Sequence, residues 1–326
     1  MKPVFGITLG DSSGVGPEIL LKASRDGLIT HPAVVYGDLA ALSYYNDRLG
    51  FGVPLRSIAD ASEYQPGSLN VLDHGNLRAD DITPGEINAK SGAAARDYVV
   101  AAAKDALAGH IAAMVTLPMN KEATQKTDPA FVGHTELIGA VCGVEDVTIM
   151  LASDQLIVTH VTTHCSLADA IARTKQPRIR TILKLTSDAV RKLIDKPRIA
   201  VAGLNPHAGE HGLFGREEIE EIEPAVAWAR SEGMPVEGPF PPDTVFYMAV
   251  RRKRFDAIVC MYHDQGHVPL KLLDFEGGVN VALGLPIIRT SVDHGTAFDI
   301  AGTGQAQAGS FIKALEFAAR MARNSG

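Results

Sequence analysis

Three histidines are the residues of this chain whose type and placement best suit chemistry. His164, His207 and His263 each follow a short apolar run that is typical of a buried β-strand. They are far apart in the sequence, unlike the ligands of a zinc finger, so their shared position after strand ends is the signal. Neutral imidazoles bind zinc and other transition metals, and three of them leave positions open for substrate oxygens. The alternative for each histidine taken singly is a helix cap or a packed core residue.

The elements that would position these histidines alternate along the chain. Short runs rich in Val and Ile, separated by helical patterns, predict βαβ units and a largely parallel sheet. Helices are predicted at 177–194 and 217–231, and strands at 4–9, 33–36, 112–116, 148–152, 156–161, 199–203 and 257–261. Because ligands of open parallel sheets bind beyond the carboxyl ends of the strands, the turns after these strands are the expected site.

Bulk properties limit the function classes. The 326 residues exceed one typical core, which favours two lobes. A formal net charge of −7 argues against a general affinity for nucleic acid. No apolar run approaches the length of a membrane helix. The three cysteines include no CxxC pair, which predicts a protein of the reducing cytoplasm without disulfides.

The first predicted turn, residues 10–18, reads GDSSGVGPE. It lacks the Lys-Ser/Thr ending of a phosphate-binding P-loop. Gly14 and Gly16 provide only the beginning of a GxGxxG pattern. A standard Rossmann nucleotide site is therefore not predicted.

Several other polar residues are candidates for a substrate pocket. Lys271, Asn280 and Arg289 lie in a segment with turns at 277–278 and 285–286 that would aim their side chains into a cleft. For an isolated Lys or Arg, the alternative is a solvated surface charge. Residues 133–136, GHTE, resemble a helix N-terminus, where Thr135 would cap and free N–H groups would attract an anion.

These segments together resemble a known family. The motifs GDSSGVGPEI, GHTE, TTHCSL, GLNPHAGE, MYHDQGH and VNVALGLPIIRTSVDHGTAFDIAG resemble those of the 4-hydroxythreonine-4-phosphate dehydrogenases of vitamin B6 biosynthesis, in the same order over nearly the whole chain. The resemblance implies a two-lobed α/β/α sandwich of the isocitrate and isopropylmalate dehydrogenase type. It also implies a homodimer that binds NAD without a Rossmann fingerprint. We expect an NAD-binding lobe of 1–125 plus 275–326, and a second lobe, 126–274, with the metal ligands and the dimer interface.

Carried over residue by residue, the resemblance assigns roles. His164, His207 and His263 become ligands of one divalent ion (Zn, Mg, Co or Mn), two from one subunit and the third from its partner. The implied substrate-binding residues are His134, Thr135, Lys271, Asn280 and Arg289. Asp243 and Asp264 are candidates for proton handling or for supporting the metal ligands. Their structural alternatives are a helix cap and a loop hydrogen bond.

The resemblance also implies a reaction. A small 4-phosphorylated hydroxy acid would be oxidised by NAD, with NADP as the alternative, to a β-keto acid that then loses its carboxylate. The segments DSSGVGPEI, TLPMNKEA and DQGHVPLKLL resemble the D-threonate or D-erythronate 4-phosphate dehydrogenase branch more than the B6 enzyme. A dehydrogenase of a non-phosphorylated cis-dihydrodiol carboxylate is one alternative, and a non-catalytic metal-binding relative is another. The GHTE motif and Arg289 favour a phosphorylated substrate.

Overall fold

The computed structural model describes residues 3–274 and 277–324, which form two compact units. The first unit consists of Met1–Val147 with Leu285–Asn324, and the second of Thr148–Gly284. The boundaries expected from the sequence, after residues 125 and 274, both lie earlier in the chain than these. The cofactor-binding and interface roles given to the two lobes stay predictions.

The first unit is built on a parallel sheet. Its strands are β1 Phe5–Thr8, β2 Ala33–Gly37, β3 Leu55–Ile58, β4 Leu69–Asp73, β5 Ala113–Thr116 and β12 Arg289–Val292. They lie in the order β3-β4-β2-β1-β5-β12. Strands β1, β2, β5 and β12 are buried along their whole length, as is typical of parallel sheets covered by helices. The helices of this unit are α1 Gly16–Arg25, α2 Leu39–Leu49, α3 Ala89–Ala108, α4 Lys121–Gln125, α5 His134–Cys142 and α11 Gly309–Arg323.

The second unit is built on a mixed sheet. Its strands are β6 Thr148–Ala152, β7 Ile157–His160, β8 Ile199–Ala202, β9 Val236–Phe240, β10 Ala257–Cys260 and β11 Val279–Leu283. They lie in the order β11-β6-β7-β10-β8-β9, with β6 antiparallel to both of its neighbours and the remaining pairs parallel. The helices are α6 Leu167–Arg173, α7 Gln176–Arg191, α8 Glu223–Ser231, α9 Pro242–Val250 and α10 His263–Leu273.

Burial of β-strand side chains against helices forms the core of the second unit. Val158 of β7, Ala200 of β8 and Ile258 of β10 pack with Val245 of α9 and Leu270 of α10, all fully buried. This packing fixes the carboxyl ends of β7, β8 and β10, from which the three candidate ligand loops emerge. Among the helices of the described residues, none combines the length and apolar composition that crossing a bilayer requires.

The α/β class predicted from the sequence is confirmed, and each predicted strand and helix is present within a few residues. Strands β3, β4, β9, β11 and β12 were not predicted. Two of them carry candidate site residues: Asn280 lies on β11 and Arg289 begins β12. Both strands are short and bounded by Gly- or Pro-containing turns. The turn residues therefore predicted loops there, and the short apolar strand patterns were not recognised.

Candidate active site

His164 lies on the loop after β7, and His263 begins α10 directly after the neighbouring strand β10. Strands β7 and β10 pair in parallel, so their carboxyl ends lie at the same edge of the sheet. The pairing continues into the loops, where the Val161 N–H donates to the Cys260 carbonyl at 2.8 Å. The ring centroids of His164 and His263 are 5.6 Å apart. Both rings line an open cavity of about 320 Å³, together with Tyr262 and Asp264.

Neighbouring side chains orient the His263 imidazole. Asp264 Oδ1 lies 2.6 Å from His263 Nδ1, which leaves Nε2 as the nitrogen available to a ligand. The His267 ring stacks on the His263 ring with a centroid separation of 3.6 Å and an interplanar angle of 11°. His267 Nδ1–H in turn donates to the His263 carbonyl at 3.0 Å and lies 3.2 Å from Nε2 of the fully buried His160.

These two supporting imidazoles are neutral near pH 7. Burial, and then the adjacent histidines, lower the pKa of His160 to about 3. Burial lowers the pKa of His267 to about 4. A neutral stack can surround a cation-binding histidine without repelling a bound cation.

His207 occupies a separate turn after β8. It is exposed within the helical turn Pro206–Gly212, and its ring centroid lies 6.1 Å from that of Phe214. Within residues 3–274 and 277–324, no group of three or more His, Cys, Asp or Glu side chains is arranged to hold a metal ion. Within one chain, His164 and His263 therefore lie together, and His207 lies on a separate turn.

Three other predicted residues lie elsewhere in the second unit. Asp243 is exposed in the first turn of α9, a helix that packs against the His207 turn. Lys271 is half-buried in the last turn of α10. Asn280 Oδ1 is buried and has no hydrogen-bond partner among the described residues. An unpartnered buried amide oxygen is costly, and a donor on a bound ligand would satisfy it.

A different cluster forms in the first unit, where α5 begins. Gly133 is the N-cap, and no side chain caps the helix. The prediction that Thr135 caps is wrong: the helix begins at His134, so Thr135 lies inside its first turn and its own N–H is one of the unpaired donors. The ring Nε2 of His134 is buried without a partner among the described residues. Burial, and then the charge of Arg289, lower the pKa of His134 to about 3, so its ring is neutral.

Arg289 is the buried cation of this cluster, with 3% of its surface exposed. Its Nε and Nη2 donate to Thr116 Oγ1 at 3.1 Å and 2.6 Å. Burial lowers its pKa to about 10, so it keeps its charge at neutral pH. In the part of the chain that the structure describes, no carboxylate lies within ion-pair distance of it, and Glu136 acts on it only through its field. A buried guanidinium beside an uncapped helix N-terminus is an arrangement suited to a phosphate.

Thr116 was missed by sequence reasoning, although a signal for it existed. It is the last residue of a predicted strand, at the carboxyl edge where ligands were expected, and its hydroxyl anchors Arg289. The position of Arg289 on a strand, and not on a turn, makes this anchoring possible.

Comparisons with known proteins agree with the sequence motifs. The family model described as pyridoxal phosphate biosynthetic protein PdxA matches residues 29–318. A D-threonate 4-phosphate dehydrogenase of Salmonella typhimurium is 44% identical over 321 residues, which cover 97% of this chain and 98% of that protein.

Solved structures extend the comparison to the fold. The crystal structure of a 4-hydroxythreonine-4-phosphate dehydrogenase from Klebsiella pneumoniae is 42% identical, with a TM-score of 0.91 and coverage of 98% of this chain and 99% of that one. A terephthalate 1,2-cis-dihydrodiol dehydrogenase from Burkholderia xenovorans is 31% identical, with a TM-score of 0.72 and 97% coverage of both chains. The resemblance drawn from the motifs is confirmed, and the chain belongs to the PdxA family.

Proposed function

We propose that this protein is a dehydrogenase that oxidises a 4-phosphorylated hydroxy acid with NAD, and that D-threonate 4-phosphate is its substrate. The observation that carries the proposal is Arg289, a buried cation with no ion-pair partner among the described residues, close enough to the first turn of α5 to affect the pKa of His134. The 44% identity to a D-threonate 4-phosphate dehydrogenase supports this choice of acid. The second candidate substrate is 4-phosphooxythreonine, the compound for which the Klebsiella pneumoniae relative is named.

The charge balance favours a phosphorylated ligand. A phosphate monoester carries nearly two negative charges at neutral pH. Arg289 and the free N–H groups of the α5 N-terminus supply compensating positive charge in a buried setting, where such interactions are strong. A dihydrodiol carboxylate carries a single negative charge on each carboxyl group and no phosphate, so it would compensate this positive charge less fully.

The donor set of the second unit suits a divalent metal. His164 and His263 of one chain, with His207 of the partner subunit, would hold it, and imidazole nitrogens favour zinc or cobalt over manganese or magnesium. Such an ion lowers the pKa of a substrate hydroxyl and polarises a carbonyl. Asp264, through its contact with Nδ1, fixes the tautomer and orientation of His263.

The reaction divides into two balanced steps. The carbinol carbon gives a hydride to NAD while the hydroxyl loses its proton, which produces a β-keto acid. The bond to the carboxylate then breaks, carbon dioxide leaves, and the carbon that held it takes up a proton. Asp243 and Asp264, both exposed, remain our candidates for moving these protons. The Asn280 amide and the Lys271 ammonium are proposed to orient the substrate.

A homodimer would complete the site. Large apolar side chains of the second unit are exposed beside the candidate ligands: Leu167 59%, Leu213 71%, Val268 60% and Leu272 87%. They belong to the first turn of α6, the segment after the His207 turn and the outer face of α10. Several large apolar side chains exposed near the candidate ligands favour a protein interface there, and a two-fold interface would exchange one histidine loop for another.

A substrate panel tests the proposal. NAD reduction is measured with Mn²⁺ or Zn²⁺ present and D-threonate 4-phosphate, 4-phosphooxythreonine, D-threonate or a cis-dihydrodiol carboxylate as substrate. We expect the highest kcat/KM for D-threonate 4-phosphate and a much lower value for D-threonate. A higher value for 4-phosphooxythreonine would replace the substrate, and equal use of the phosphorylated and free acids would overturn the phosphate assignment. Absence of turnover with every compound would favour the non-catalytic alternative.

A further inference from the structure

The turn that carries His207 has an unusual backbone. Five consecutive residues, 207–211, have positive φ angles of 52°, 52°, 79°, 43° and 56°. Only Gly209 among them is a glycine. For L-residues this left-handed conformation is unfavourable and persists only where the surroundings hold it in place.

Two carboxylates contact the start of this turn: the partly buried Glu217 accepts the Asn205 side-chain amide at 2.7 Å, and the buried Glu218 makes the remaining contacts. Glu218, with 1% of its surface exposed, accepts the Leu204 N–H at 2.7 Å and the Asn205 N–H at 2.8 Å through Oε1. Its Oε2 accepts the Asn205 side-chain amide at 2.9 Å. The Asn205 carbonyl then accepts the Ala208 N–H at 3.1 Å, which closes the first left-handed step. The carboxylate therefore fixes the residue from which the turn begins.

The turn is packed closely around this carboxylate. A Cβ at Gly209 would lie 2.7 Å from Glu218 Oε2, and a Cβ at Gly203 would lie 3.1 Å from Oε1. Glu218 also begins a π-helical turn, Glu218–Ile222, ahead of α8. Such turns are rare and frequently mark functional sites.

The same loop is tied to the loop of His263. The Gln265 side chain donates to the Gly203 carbonyl at 2.7 Å and accepts the Met261 N–H at 2.7 Å. Gln265 lies on α10, one half-turn after His263. The position of the His207 turn is thereby coupled to that of the other candidate ligand loop within the second unit.

We infer that Glu218 is a positioning residue, whose buried carboxylate holds residues 207–211 in the left-handed turn that presents His207. The inference rests on the proposed function, in which His207 is a metal ligand of the site it shares with a partner subunit. A carboxylate suits this task because its two oxygens accept several N–H groups at once.

The test uses the full-length protein and Co²⁺ as the probe. Glu218→Gln is compared with Glu220→Gln, the same change two residues along, on a side chain that is 57% exposed and pairs with Arg216 at the surface. The visible Co²⁺ absorption spectrum reports the ligand set, and hydrogen exchange of residues 204–214 reports the turn. We expect Glu218→Gln to weaken Co²⁺ binding by about tenfold or more, as loss of a residue that supports a metal ligand does. We also expect faster exchange at Leu204 and Asn205, with no change in the control.

A second pair of variants separates the possible failures. If Glu218→Gln does not fold, Glu218→Asp, which keeps the charge but is shorter, must show the same losses in a folded protein. Unchanged Co²⁺ binding and exchange in a folded Glu218 variant would overturn the inference. His207→Ala is measured alongside. If it abolishes the Co²⁺ spectrum while the Glu218 variant has no effect, the inference fails and the metal site stands. If His207→Ala leaves the Co²⁺ spectrum unchanged as well, the metal site fails too. The positioning role is then decided by hydrogen exchange alone, and it fails if Leu204 and Asn205 exchange as slowly in the Glu218 variant as in wild type.

Discussion

Replacing Arg289 with Gln should convert a phosphate-selective enzyme into one that hardly distinguishes phosphorylated from free acid. Of the five N–H groups of a guanidinium, Nε–H and one on Nη2 point to Thr116, which leaves about three for a ligand. If two of them bind phosphate oxygens, at roughly 1.5–3 kcal/mol for each charge-assisted bond, their loss costs roughly 3–6 kcal/mol. The amide of Gln can form one of these hydrogen bonds, so the expected loss lies near the lower limit of that energy range. We therefore expect kcat/KM for D-threonate 4-phosphate to fall on the order of a hundredfold.

The assay compares kcat/KM for D-threonate 4-phosphate and D-threonate in wild type, Arg289→Gln and Arg198→Gln. Arg198 is a matched control, because it is 51% exposed and pairs with Asp256 at the surface. If Arg289 binds the phosphate, the ratio of kcat/KM for D-threonate 4-phosphate to kcat/KM for D-threonate should fall strongly in Arg289→Gln and stay unchanged in Arg198→Gln. An equal loss on both substrates would show that Arg289 holds the carboxylate or the fold, and would refute the reasoning.

Three further outcomes follow from particular residues. Ala208→Gly should stabilise the protein by roughly 0.5–1 kcal/mol, because a φ of 52° is unfavourable for any residue with a Cβ. Ala227→Gly, on the exposed side of α8, should instead destabilise it by about 1 kcal/mol. Chemical denaturation measures both changes in the free energy of unfolding, and the same sign for both would contradict the argument. The pKa of His134 is lowered from 6.5 to about 3 in the folded protein. As the pH falls, the unfolded chain therefore binds a proton at His134 before the folded protein does. This difference should lower the free energy of unfolding by about 2 kcal/mol between pH 8 and pH 5. His134→Gln should lessen that pH dependence, and an identical pH profile in the variant would rule the effect out. Mixing His207→Ala with His164→Ala should restore activity to about a quarter of wild type after subunit exchange, since half the dimers then carry one intact site, whereas neither variant alone should recover; no recovery would place all three ligands in one chain.

The sequence was informative where one residue type recurred at equivalent places. The strands before His164, His207 and His263 are short, apolar and rich in Val and Ile, so both the strands and the polar turns after them were predictable. The pairing of His164 with His263 was not, because strand order decides which loops are neighbours, and β7 lies beside β10 only through tertiary packing.

Long-range contacts account for the remaining omissions. Glu218 lies in a helical pattern whose acidic first turn has an ordinary explanation in the helix dipole, so nothing local distinguishes it from the exposed Glu220. Its role depends on backbone N–H groups of Leu204 and Asn205, which carry no side-chain signal. The wrong cap at Thr135 has a similar origin, since a glycine can begin a helix as well as a threonine.

The interrupted first unit has a consequence for biosynthesis. Its sheet needs β12, which the ribosome makes only after the whole second unit, and β12 carries Arg289 beside Thr116 of β5. Domains tend to fold as their chain emerges, so the second unit, with its histidine loops, can become ordered while the first still has an open sheet edge at β5. A nascent chain would therefore order its three histidine loops before Arg289 reaches its place beside Thr116. Until residues 289–292 arrive, β5, which is buried and apolar in the finished protein, is an open sheet edge that could pair with another chain.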